Sequence, residues 1–119
     1  MKKVFAVAIN GIIQSFRTEG NFKIQLAATI MVVFLGFFFN ITQTEWLVII
    51  LCCTIVMALE LINTAIEKLC DVVTKEYHPA IKIVKDTAAG SVLVSAIGGA
   101  VAGAVIFIPL IIHQIKILV

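Results

Sequence analysis

Residues 46–71 read WLVIILCCTIVMALELINTAIEKLCD. Residues 46–59 carry no charge, yet a helix needs roughly 20 apolar residues to cross a hydrocarbon core of about 30 Å. If this segment crosses, it must therefore continue through Glu60 to Glu67. Trp46 suits one interface. Counting from there, Glu60 falls inside the hydrocarbon and Glu67 near the far headgroups. On a helical wheel Glu67 and Asp71 lie within about 20° of Glu60, and Asn63 within about 60°. Three acids and an amide thus share one face of a membrane helix. An ionisable group at such depth costs ~2.5–3.5 kcal/mol on insertion scales and marks function by default.

Composition supports the crossing. The chain has 119 residues, 61% of them hydrophobic and 13% charged, against about 45–50% and about 25% in soluble domains. A chain this short has too little interior to hide that apolar surface from water, so the excess faces lipid or further copies of the chain. The formal net charge of +2 is too small to imply a nucleic-acid partner. Cys52, Cys53 and Cys70 lie in apolar sequence without metal-ligand spacing and read as small buried hydrophobes. Polar residues Asn10, Gln14, Arg17 and Glu19 interrupt the first apolar run, so no cleavable signal peptide is expected.

The expected architecture is an all-α membrane protein of one domain, 1–119, with an N-terminal amphipathic surface helix and three transmembrane helices. In residues 4–19, Phe5, Ile9, Ile12 and Phe16 share one face and Lys3, Asn10, Gln14 and Arg17 the other, the pattern of a helix lying in the membrane surface. If that helix runs on to Glu19, the carboxylate points toward its apolar side. Spans are expected at about 22–39, 45–70 and 86–112, with a short turn at 40–44. Between the second and third spans, 72–85 is polar and Pro79 predicts a bend or break. In the third span Ser91, Ser95, Gly99 and Gly103 recur every four residues, a smooth stripe that lets another helix approach. Eight of the nine basic residues lie before the first span or between the second and third. That side should be the cytoplasm, with the N-terminus and the 72–85 loop inside and the C-terminus outside.

Aligned carboxylates repel one another unless cations intervene. A divalent metal prefers carboxylate oxygens and usually brings phosphates with it. A lysine is the other option, and Lys85 stands beside Asp86 at the start of the third span. Glu19 adds a further carboxylate. An oxygen-rich site with a lysine at the membrane–water boundary suits metal-assisted phosphoryl transfer, with a water-soluble donor from below and a lipid hydroxyl from the side. Plainer readings exist. Glu60 fits a structural bond across helices, Asn63 fits helix–helix glue, Lys85 with Asp86 fits a helix-start charge pair, and Glu76 and His78 fit ordinary loop residues. Alignment on one face raises the odds for chemistry.

The run Glu60-Leu61-Ile62-Asn63-Thr64-Ala65-Ile66-Glu67, then Asp71, Glu76-Tyr77-His78 and Lys85-Asp86 followed by Ala88-Ala89-Gly90, resembles the bacterial integral membrane diacylglycerol kinase and undecaprenol kinase family. The match is ungapped from about residue 60 to 93, and the overall plan agrees. The resemblance implies a homotrimer in the bacterial cell (inner) membrane that moves the γ-phosphate of ATP to a lipid alcohol with Mg2+. It implies Glu60 as general base, Glu67 and Glu19 as metal carboxylates, and Lys85 as the cation that neutralises phosphate. Glu76, His78 and Asp86 become nucleotide contacts, with Asn63 and Asp71 as supporting polar groups. The short N-terminal region and its Arg17-Thr18-Glu19-Gly20-Asn21-Phe22 stretch lean toward the undecaprenol branch. A different class of function stays open beside it: a small ion- or proton-translocating membrane subunit that uses Glu60.

Overall fold

The computed structural model describes residues 1–119 and contains four helices: α1 Lys2–Thr18, α2 Gly20–Phe39, α3 Gln43–Val73 and α4 Pro79–Leu118. Three of them, α2, α3 and α4, are long and apolar enough to cross a membrane. Only 14 of the 119 residues are buried within the single chain, and side chains such as Phe34, Phe37, Val94 and Val105 stand at least 70% exposed. Such a surface is stable only against lipid or another copy of the chain. The expected all-helical membrane architecture is the one observed.

Helix boundaries follow local chemistry. α1 ends one residue earlier than expected. Glu19 is extended (φ −115°, ψ 114°), closing α1 through its N–H to Ser15 and leading directly into α2. The carboxylate is therefore placed by this corner and not by the wheel of α1. Phe16 meets Phe22 edge-on across the corner at 6.4 Å, and the Lys23 ammonium lies 5.6 Å from the Phe16 ring centre. α2 ends at Asn40, whose left-handed φ of 50° is tolerated by a short amide side chain. The Ile41 N–H then reaches back to the Gly36 carbonyl. Thr42 and Glu45 form a reciprocal capping box that opens α3.

The polar 72–85 segment is mostly helical. Only residues 74–78 lie between α3 and α4. Pro79 occupies the first turn of α4, where its missing N–H is harmless, and His78 caps that helix by accepting the Ala80 N–H on Nδ1 at 3.2 Å. Lys82, Lys85 and Asp86 consequently ride on α4 below the apolar span. With 40 residues, α4 is about 60 Å long at 1.5 Å per residue, twice the hydrocarbon thickness.

α3 and α4 make the most extensive helix–helix contact, with α2 packed beside them. The core gathers at the α2–α3 turn, around Ile41, Ile49, Ile106 and Phe107. Trp46 is half-buried there, stacked at a tilt on Phe37 with ring centres 4.9 Å apart. It covers Gly36, where an added Cβ would come within 2.6 Å of the indole. Overpacking of this kind costs roughly 1–3 kcal/mol. Gly36→Ala should therefore lower the thermal midpoint in detergent, and a Trp46→Phe exchange in the same chain should restore most of the loss. A Gly36→Ala protein as stable as the native one would show that the indole is not fixed over the glycine.

Candidate functional site

The opposite end of the α3–α4 contact is polar. On α3, Glu60, Asn63 and Thr64 are all buried, at 3%, 7% and 3% exposure. They belong to the face that also buries Ile49 and Val56, so the packing that fixes the apolar end of α3 also turns Glu60 inward. The Thr64 hydroxyl donates to the Glu60 backbone carbonyl at 3.0 Å.

Glu60 and Asn63 line a cavity of about 240 Å³. Asn21 and Gln25 from α2 and Ala89, Val92 and Ala96 from α4 also line it. Glu19 stands at the corner between α1 and α2, outside both helices. Asn63 Nδ2 donates to Glu67 Oε1 at 3.4 Å, a long bond. The other amide atom, Asn63 Oδ1, is buried and has no hydrogen-bond partner. A buried acceptor without a donor is costly, and this one lines the same cavity as the Glu60 carboxylate.

One turn beyond Glu67, Asp71 Oδ1 accepts from Lys85 Nζ at 2.8 Å, tying α3 to the start of α4. Asp86 is engaged on the outer side, by Lys82 one turn earlier. Lys68 Nζ reaches Thr18 Oγ1 at 3.5 Å, linking α3 to the end of α1. Glu76 and His78 lie in the short connection. The Glu76 N–H is bonded to Thr74 Oγ1, and His78 spends Nδ1 on the α4 cap. The residues singled out from sequence therefore form two groups. Glu60 and Asn63 line the cavity, and Glu67 is tied to it through Asn63. Asp71, Lys85, Asp86, Glu76 and His78 do not line it and lie around the end of α3, the connection and the start of α4.

No three Asp, Glu, His or Cys side chains converge as a ready-made metal cage. Magnesium does not need one, because it is usually held by one or two carboxylates together with substrate phosphates. The hard oxygen donors of Glu67 and Glu19 suit that mode.

Two residues escaped the sequence reading: Asn21 and Gln25. Their signal was available. They are four apart, hence on one face of α2, and Gln25 is an amide within an otherwise apolar span.

A family profile described as Prokaryotic diacylglycerol kinase matches residues 6–107. The chain is 41% identical over 107 residues to a protein of Bacillus subtilis (strain 168) named undecaprenol kinase, covering 90% of this chain and 87% of that one. It is 35% identical over 106 residues to a diacylglycerol kinase of a Synechocystis species, covering 88% of this chain and 61% of the relative. A diacylglycerol kinase of Haemophilus influenzae is 31% identical over 101 residues, covering 84% and 86%. These names give the ion-translocating alternative no support.

The orphaned acceptor generates a test that needs no activity assay. Removing a buried acceptor that has no partner is neutral or stabilising. In a Glu67→Ala background, where the bond from Asn63 Nδ2 is already gone, Asn63→Leu should keep or raise the thermal midpoint in detergent. A clear drop would mean that Oδ1 has a donor in the folded protein.

Proposed function

Because the chain belongs to the prokaryotic diacylglycerol kinase family and is a membrane lipid kinase, we propose that Glu60 takes the proton from the hydroxyl of the lipid alcohol as that oxygen attacks the γ-phosphorus of ATP. One observation carries this reading. Glu60 is 3% exposed on a helix long and apolar enough to cross a membrane, and it lines a cavity beside a buried, unpartnered amide oxygen.

Each group then has a role its chemistry allows. The lipid O–H bond breaks and its proton passes to a Glu60 carboxylate oxygen. The freed oxygen forms the new bond to phosphorus, the bond from phosphorus to the β–γ bridging oxygen breaks, and ADP leaves with that electron pair. Asn63 orients Glu67 through Nδ2, and its Oδ1 lines the cavity beside the Glu60 carboxylate. Lys85 offsets phosphate charge at the start of α4, where Asp71 holds it in place. Glu76, His78 and Asp86 serve as nucleotide contacts around it. Glu67 and Glu19 would hold Mg2+, a cation usually bound by one or two carboxylates. When bound, the ion neutralises charge that develops on the phosphates.

The substrate is undecaprenol in preference to diacylglycerol, in keeping with the undecaprenol kinase relative at 41% identity. The chain works as a homotrimer, which would cover part of the apolar surface that one copy leaves open. It sits in the cell membrane with the N-terminus and the α3–α4 connection in the cytoplasm and the C-terminus outside. Lys2, Lys3, Arg17, Lys23, Lys68, Lys75, Lys82 and Lys85 all fall toward the cytoplasmic side on this topology.

Loss of a general base typically costs ~10²–10⁴-fold in rate. Glu60→Gln keeps the shape and removes the base, so turnover should fall by about that factor while helix content and oligomer size stay native. Full activity in that variant would remove Glu60 from the role. Glu67→Ala should raise the magnesium concentration needed for half-maximal activity, and an unchanged titration would count against Glu67 as a metal carboxylate.

A further inference from the structure

Two side-chain hydrogen bonds in this chain join one helix to another, and lysines at the acidic end of α3 make both. Lys85 ties the start of α4 to Asp71 at 2.8 Å. Lys68 ties α3 to the end of α1, its Nζ donating to Thr18 Oγ1 at 3.5 Å. The first bond joins two residues of the candidate site. The second joins two residues outside it, but their neighbours in sequence are the two carboxylates assigned to Mg2+. Thr18 precedes Glu19, and Lys68 follows Glu67.

Lys68 is the one basic residue of α3. Lys82 and Lys85 each have an acid partner, whereas Lys68 has none and bonds to a neutral hydroxyl. Asp71, three residues on, is already taken by Lys85. A cation at that place also suits the carbonyl ends of the last turn of α1.

α1 has few other attachments. Of its 17 residues only Ser15 is buried, and Phe5, Ile9 and Ile12 stand exposed. Its last turn holds it to the rest of the chain. There Phe16 meets Phe22 of α2 and Thr18 meets Lys68 of α3. Glu19 is a single extended residue between two helices. The aromatic contact sets α1 against α2, and the lysine bond sets the corner against α3.

We propose that Lys68, acting through Thr18, is a positioning residue for Glu19: it fixes the corner so that Glu19 and Glu67 can share one divalent cation. This rests on the metal reading of those two carboxylates. An ammonium has three donors and no acceptor, so Lys68 acts on the cation only through the groups it places. Partners that orient metal ligands without binding the metal are commonly worth about 10–100-fold in affinity. The sign of the effect is diagnostic. By Coulomb attraction alone, removing a positive charge near a cation site tightens the cation. Loss of a positioning residue weakens it.

The test titrates magnesium against turnover of the full chain in detergent, at saturating ATP and lipid alcohol. Lys68→Met keeps an unbranched stem and removes the donor. It should raise the magnesium concentration for half-maximal activity about tenfold, with KM for the lipid alcohol and the thermal midpoint near native. Lys68→Arg should restore the native titration. Thr18→Val should reproduce the shift, and the two changes together should cost no more than either alone, as partners in one bond do. An unmoved titration, or one moved to lower magnesium, overturns the proposal. So does a Lys68→Met defect that appears as a raised KM for ATP at saturating magnesium, because Lys68 then touches the nucleotide itself. Glu19→Ala separates the two readings. If it leaves the magnesium titration unmoved, the metal reading falls and this inference with it. If it raises the magnesium requirement and Lys68→Met does not, the positioning role alone falls. A second measurement needs neither metal nor nucleotide. The Glu19 N–H is bonded to the Ser15 carbonyl at 2.9 Å. Its hydrogen exchange should be faster in Lys68→Met than in the native chain and native-like in Lys68→Arg. Equal exchange in all three contradicts the proposal.

Discussion

Everything in this molecule depends on a carboxylate that its helix cannot keep out of the membrane. Residues 46–59 are too few to span the hydrocarbon, so α3 must carry Glu60 into it. That position is tolerated because α3 turns Glu60 toward α2 and α4 and away from lipid, in a face shared with Ile49 and Val56. The cost of placing an ionisable group there, ~2.5–3.5 kcal/mol on insertion scales, is met by packing at the far end of the same helix pair.

The two ends of the bundle have divided tasks. At the α2–α3 turn, Ile41, Ile49, Ile106, Phe107 and the Trp46–Gly36 contact hold the helices together. At the other end the side chains are polar, a cavity remains, and an amide oxygen lies without a partner. Proteins commonly concentrate such unsatisfied groups where a ligand completes them. The connection between α3 and α4 is only five residues long. It brings Lys85 back to Asp71.

Much of this was legible in the residues. Chain composition and the short apolar run before Glu60 decided the membrane architecture, and the wheel put Glu60 and Asn63 on one face, which the structure buries. Two features needed coordinates. The wheel assigned Glu19 to the apolar side of the first helix, but that helix ends at Thr18 and an extended corner places the carboxylate. The polar 72–85 segment looked like a loop because of its charge, yet Pro79 starts α4 there, and helices longer than the bilayer continue into water as polar sequence. Asn21 and Gln25 were visible as polar residues, but their service to the Glu60 cavity depends on how α2 packs against α3, which periodicity alone does not specify.

The central claim is that water-borne nucleotide and membrane-borne alcohol meet on the acidic face of α3. Its most direct measurement is transfer of label from γ-labelled ATP by the purified chain, with undecaprenol and diacylglycerol offered side by side in lipid or detergent. The account predicts label on a lipid phosphate, more of it on undecaprenol. A well-folded protein that labels neither lipid would contradict it.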